Sequence, residues 1–327
     1  MATPLSILDL AFVAPAQSTR DALLESVALA QKAEETGRFE RIWFAEHHNM
    51  RTIASAATSV LIGHVASATS TIRVGAGGIM LPNHSPLVIA EQFGTLAELH
   101  PGRIDLGLGR APGTDQQTLR ALRRDPRASD QFPQDVQELQ GYLSQDSLIP
   151  GIHAYPGWGT QVPLYILGSS LFGAQLAAAL GLPYSFARHF APDALEQAVQ
   201  VYRERFQPSE QLAEPYVIAA LNVIAADDTA AAEEQARLVR RQRLRTMAGR
   251  RGTELTEEQV DEAMGTAFGQ QVQHMMRYTA VGDGAEVARY LAEFREHAQA
   301  DELMVTNATP GLDQRRRALE ILATLTL

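Results

Sequence analysis

No cysteine occurs anywhere in the chain, which excludes disulfides, thiolate metal sites and a cysteine nucleophile. Lysine is nearly as scarce: Lys32 is the only one, and arginine carries almost all the positive charge, a bias of composition rather than of chemistry. Positive charge is also outweighed. The formal net charge is −10, whereas a nucleic-acid binder needs a basic surface to neutralise phosphates. The one basic concentration, Arg237 to Arg251, has helical spacing and an acidic sequel, so it reads as a solvated helix face. No apolar run reaches the length of a membrane-spanning helix. The apolar residues near the start lack a basic leader and are interrupted by Asp9, so they read as a first strand and the expected location is cytoplasmic. Internal repeats, low-complexity tracts and a GxGxxG nucleotide fingerprint are absent as well.

What is present is an ordinary globular composition, 45% hydrophobic and 20% charged, in 327 residues. That length admits two domains or one large α/β barrel. Short apolar runs alternate with longer helical patterns from end to end, the signature of βα units and a parallel sheet. Strands are expected at 6–12, 41–46, 72–79, 103–109, 163–168, 184–190, 216–226 and 302–309, and helices at 19–36, 54–67, 86–99, 133–143, 170–180, 192–206, 229–247 and 312–325. Eight of each, with no linker, favour a (β/α)8 TIM barrel over a doubly wound sheet. A single domain over 1–327 is therefore expected, with insertions at about 111–160 and 250–295. The second insertion carries helix caps at Thr256 and Asp283 and reads as a helical cover that closes over the barrel mouth or simply packs there.

In such a barrel active groups sit where strands end and βα loops begin. Strand two ends in Glu46-His47-His48-Asn49. Successive strand residues point to opposite faces, so Glu46 and His48 share one face and His47 takes the other. That separation, with no HxH or HExxH spacing, argues against zinc or iron and for His47 as a single proton-handling group, or else a structural histidine partnered by Glu46. Gly77 and Gly78 mark a strand end that something approaches closely, or a simple bulge. Arg110 lies between two flexible turns, where its planar fork suits a phosphate or a surface ion pair. Gly168 allows a turn, and Ser169 or Ser170 can cap the helix that follows, whose free N–H groups and positive dipole end suit an anion. His84 and His189 also lie near strand ends, His84 in a turn before a proline-started helix.

The order "FAEHHN", "IRVGAGGIMLPNHSPLVIAEQFGTLAELHPGRIDLGLGRAPGTD", "LYILGSSLFGAQLAAALGLPYSFARHFAP" resembles the bacterial-luciferase-like flavin-dependent monooxygenases, across nearly the whole chain. The resemblance implies a barrel that binds reduced FMN as a cosubstrate at its C-terminal mouth. It implies reaction with O2 to a C4a-(hydro)peroxyflavin and oxygenation of a small organic substrate. It implies a catalytic role for His47 and a non-prolyl cis peptide at Gly77–Gly78 against the flavin ring. A phosphate site would be made by Arg110, Ser169 and Ser170, with Gly168 at the turn and Gly173 where luciferase has another hydroxyl. It further implies a separate flavin reductase and a homodimer paired through the second and third helices, where "IASAATSVLIGHVASATS" is rich in small residues. Ser169 stands where luciferase has an acid, and "RAPG" replaces a bulkier continuation, so substrate and ring-edge contacts do not carry over. The same scaffold leaves two alternatives: use of the deazaflavin F420, and flavin binding without turnover.

Overall fold

The computed structural model describes residues 3–14, 17–111, 114–187, 195–249, 253 and 255–327. Among the described residues, nine parallel strands form one sheet: β1 (Leu5–Asp9), β2 (Phe39–Phe44), β3 (Arg73–Met80), β4 (Ile104–Gly109), β5 (Leu164–Gly168), β6 (Tyr184–Ala187), β7 (Val217–Ala225), β8 (Thr279–Gly282) and β9 (Glu302–Thr306). Their order is β6-β5-β4-β3-β2-β1-β9-β7, and a β6–β7 pairing closes the ring. Eight strands thus make the expected (β/α)8 barrel. The ninth, β8, was missed in the sequence. It is four residues long and hangs outside the ring on β7, whose nine residues outlast the barrel and leave a free edge from Asn222 to Ala225.

The helices before this strand are α1 (Thr19–Thr36), α2 (Thr58–Ser67), α3 (Pro86–Leu99), α4 (Gln116–Ala121), α5 (Phe132–Leu143), α6 (Leu171–Leu180), α7 (Leu195–Arg205), α8 (Thr229–Gly249), α9 (Glu257–Met264) and α10 (Ala267–Met275). After it come α11 (Gly284–Ala298) and α12 (Leu312–Thr324). Termini follow local chemistry. Ser18 accepts from Asp21 N to start α1, and Gly37, at φ 64°, ends it in the left-handed conformation that glycine adopts without a steric cost. Thr256/Gln259 and Asp283/Glu286 form reciprocal capping boxes on α9 and α11, at the two caps expected from sequence.

One helix expected in the outer ring has another duty. α8 packs on β7 and β8 and against α9 and α10, while α11 touches both α7 and α12 and completes the ring between them. Arg241 of α8 binds Glu257 (2.7 Å) and Asp261 of α9, and Arg245 binds Glu257 (2.5 Å). Arg237 and Arg240 pair with Glu234 and Glu233. Four arginines of the basic stretch are therefore spent on ion pairs, partly solvated and partly clamping the cover, and Arg243 lines the cavity described below. The histidine at 189, the tail of the expected sixth strand and the start of the next helix lie outside the described residues.

Alternation along the strands sorts side chains into two cores. Leu8, Leu10, Trp43, Ala45, Tyr165, Ile218, Ala220 and Met304 fill the barrel, and a larger apolar layer lies between sheet and helices.

Candidate active site at the barrel mouth

His47 follows Trp43 and Ala45 in the inward phase of β2, and its side chain lines a cavity of about 180 Å³ at the C-terminal end of the barrel. The loop that carries it is fixed by backbone groups: His47 N donates to Ser55 O (3.3 Å), Ala45 N to Asp9 O (3.2 Å), and Ser55 Oγ to Leu10 O (3.1 Å). Walls come from the segment after β1 (Leu10, Phe12), from β7 (Asn222) and from the residues after β9 (Thr309). The roof is the cover: Gln242, Thr246 and Met247 of α8, with Met275 and Met276 at the end of α10. No carboxylate among the described residues lines it.

Glu46 and His48 take the other face, as alternation requires. Glu46 is 1% exposed; its Oε1 receives His48 Nε2 at 2.7 Å and His84 Nε2 at 2.8 Å, and Met80 N donates to Oε2 at 3.2 Å. Burial by itself would raise this carboxyl, but the hydrogen bonds and charge of the two histidines outweigh it and hold it below the usual range. Three donor groups that could ligate a metal thus meet here. The separations are those of hydrogen bonds, which tie the end of β2 to the turn after β3. His84 as the second partner was not legible in the sequence, because the Leu81–Asn83 turn that delivers it is set by tertiary packing.

The peptide Gly77–Gly78 is cis. A methyl on Gly77 would lie 2.8 Å from Leu8 Cδ1 and 3.0 Å from Trp43 Cβ, and one on Gly78 would lie 2.6 Å from Gly107 O. Glycine is therefore already demanded by the barrel's own packing at both positions, beside a register shift between β3 and β4.

At the opposite side of the mouth, the end of β4 meets the start of α6. The guanidinium of Arg110 stacks over Phe172, 4.1 Å from its ring centre, and pairs with no carboxylate among the described residues. Ser170 occupies the N-cap position of α6 with extended backbone, yet its side chain makes no capping bond, contrary to the role expected of it. Ser169 sits half-buried one residue earlier. Tyr184 OH donates to Ser170 O (3.2 Å), and burial pushes that phenol well above its ordinary value, so it stays a donor. Gly168 and Gly173 lie against each other, letting α6 start close to the strand end. A cation and a helix N-terminus with free N–H groups thus converge, an arrangement suited to an anion. Arg110, Gly168, Ser169, Ser170 and Gly173 come together here, whereas His47 belongs to the separate cavity, whose lining includes neither these residues nor the glycine pair.

The luciferase-like monooxygenase family model matches residues 3–301. The chain belongs to this family. A luciferase-like monooxygenase of Escherichia coli strain K12 is 48% identical over 318 residues, covering 97% of this chain and 95% of the relative. The uncharacterized protein YvbT of Bacillus subtilis is 45% identical over 324 residues, covering 98% and 96%. Among solved structures, apo-MsnO8 superposes with a TM-score of 0.88 at 32% identity, over 98% of this chain and 97% of that one. Asn222, Thr309 and the cover residues Gln242 and Met247 were missed in the sequence. A lone Asn inside the apolar run "YVIAALNVIAA" was the signal that could have found the first.

Proposed function

We propose that this chain is an FMN-dependent monooxygenase that takes reduced FMN from a separate reductase and oxygenates a small organic substrate held in the His47 cavity. The single observation that carries the reading is the convergence of Arg110, uncommitted to any described carboxylate, with the uncapped N-terminus of α6 at the mouth of a luciferase-like barrel. These groups fit a phosphate dianion: the guanidinium supplies charge and a planar fork, and the helix supplies N–H donors. The Gly77–Gly78 pair, without side chains at the end of β3, fits a flat ring. Bound there, reduced FMN supplies the electrons that activate O2.

The protein's own residues then have distinct duties. Arg110, Ser169 and Ser170 hold the phosphate end. His47 faces the cavity and donates or accepts a proton at the reacting substrate. The mainly apolar surface of the cavity and the α8–α10 roof limit the access of water to the substrate. A homodimer through α2 and α3 agrees with Val60 (72% exposed) and Val88 (43% exposed), apolar side chains left on the outer faces of those helices. Light scattering should give twice the chain mass, and a strict monomer refutes the pairing.

Anaerobic titration with reduced FMN followed by O2 tests the central claim. Saturable binding and a transient absorbance distinct from that of free flavin are expected. Free-flavin autoxidation unchanged by the protein, or binding of the deazaflavin F420 in place of FMN, overturns it.

A further inference from the structure

The strand β7 reads Val-Ile-Ala-Ala-Leu-Asn-Val-Ile-Ala, and its inward phase places Ile218 and Ala220 inside the barrel and Asn222 next above them. Asn222 pairs in register with Thr306 of β9, and both line the His47 cavity. The rest of the strand needs no polar group there, since an apolar residue would continue the pattern. The Asn222 carboxamide makes no hydrogen bond to any described residue, and its nitrogen is buried. Two other residues of the lining also carry a buried polar atom without a partner, Thr309 at Oγ1 and Arg315 at Nε. Buried polar groups are nearly always paired, so such groups around one cavity require an account.

A carboxamide presents a donor beside an acceptor, and a half-turn of its end group exchanges them. Its natural partner is another edge of that kind, acceptor beside donor. The charged side chains that line the cavity are Arg243 and Arg315, the latter paired with Glu25, and no carboxylate among the described residues joins them, which leaves nothing there to select a cation. We propose that Asn222 is a ligand-binding residue that pairs, donor to acceptor and acceptor to donor, with an amide or imide edge of a molecule in the His47 cavity. This rests on reading that cavity as the reacting site. The edge has two sources, the imide of the flavin ring or an amide group on the substrate, and they are separable.

The test compares the wild type with Asn222→Leu, which is close in size, and Asn222→Ala, which leaves space if leucine misfolds; circular dichroism and thermal melting check the fold of both. In the first arm, fluorescence titrations measure binding of FMN and of FMN methylated at N3, which lacks the imide donor. In the second, calorimetry without flavin measures benzamide and its hydrocarbon isostere α-methylstyrene, molecules somewhat larger than the benzene that a cavity of about 150 Å³ admits. A wild-type preference of about tenfold for the amide or imide member of either pair, lost in both variants, is expected and names the source. Benzamide selectivity without any FMN binding would sink the flavin reading while leaving this one intact. Equal binding of both members of both pairs by the wild type, or preferences that survive in both variants, overturns the proposal.

Discussion

The two ends of this barrel are built from the same strands and opposite chemistry. At the N-terminal end, Arg41 binds Asp105 (2.8 Å), Glu302 (3.0 Å) and Tyr165 OH (2.7 Å), Arg73 closes on the other oxygen of Asp105, and Ser6, Trp43 and Tyr216 donate to the remaining carboxylate positions. Two cations face two anions, and the lone pairs are taken. Burial by itself would lower the Arg41 guanidinium, but Glu302 and Asp105 more than reverse that. At the C-terminal end, Asn222 and Thr309 are uncommitted, Ser170 leaves its helix uncapped, and Arg110 has a ring beneath it in place of an anion. A saturated end serves folding; an unsaturated end is where the proposed ligands would find partners.

The sharpest way to break this contrast is His47→Ala. Oxygen transfer should fall about 10²–10⁴-fold, the usual worth of a positioned acid–base group, with FMN affinity and melting temperature nearly unchanged in parallel titrations and melts. A variant that is fully active would leave His47 a structural residue. At the other end, Asp105→Asn should cost about 3–5 kcal/mol in urea unfolding, because Arg41 and Arg73 lose their buried counter-charge, while FMN affinity per folded molecule stays put. Equal stability would mean that the network is incidental. Arg110→Met should weaken FMN by about 10–100-fold, from loss of charge-assisted bonds worth about 1.5–3 kcal/mol, and leave unfolding alone. A stability loss without an affinity change would move Arg110 to the structural side.

Glu46→Gln sharpens the boundary between the two classes, since Glu46 is at the mouth yet saturated. Its folded carboxyl titrates below the unfolded value near 4.3, so its contribution is complete above that pH and is lost as pH falls through the lower, folded value. The variant should be less stable by about 1–3 kcal/mol at pH 7, and the gap should narrow below about pH 4.3 in urea melts. A gap that stays constant down to pH 3 would remove the carboxylate charge from the account.

Much of the mouth was legible because strand alternation and helix chemistry are local. The phase of β2 alone separates His47 from Glu46 and His48, and the glycines and serines around Gly168 announce a turn into a helix. The cis peptide at Gly77–Gly78 followed from resemblance, and packing on Leu8, Trp43 and Gly107 shows why no larger residue fits. The ninth strand was not legible, since four residues between helices carry too short a pattern to separate from a loop. The exchange of roles between α8 and α11 was hidden for a different reason: both are amphipathic, and only their neighbours decide which faces the ring.

Sequence by itself determined the periodicities, hence the alternation of strands and helices and the inward direction of His47, because each depends on bonds between near neighbours along the chain. Tertiary structure decided the meetings. It brought His84 to Glu46, Phe172 beneath Arg110, and Asn222 to the wall that His47 shares, because closing the ring juxtaposes strand ends that the chain keeps far apart.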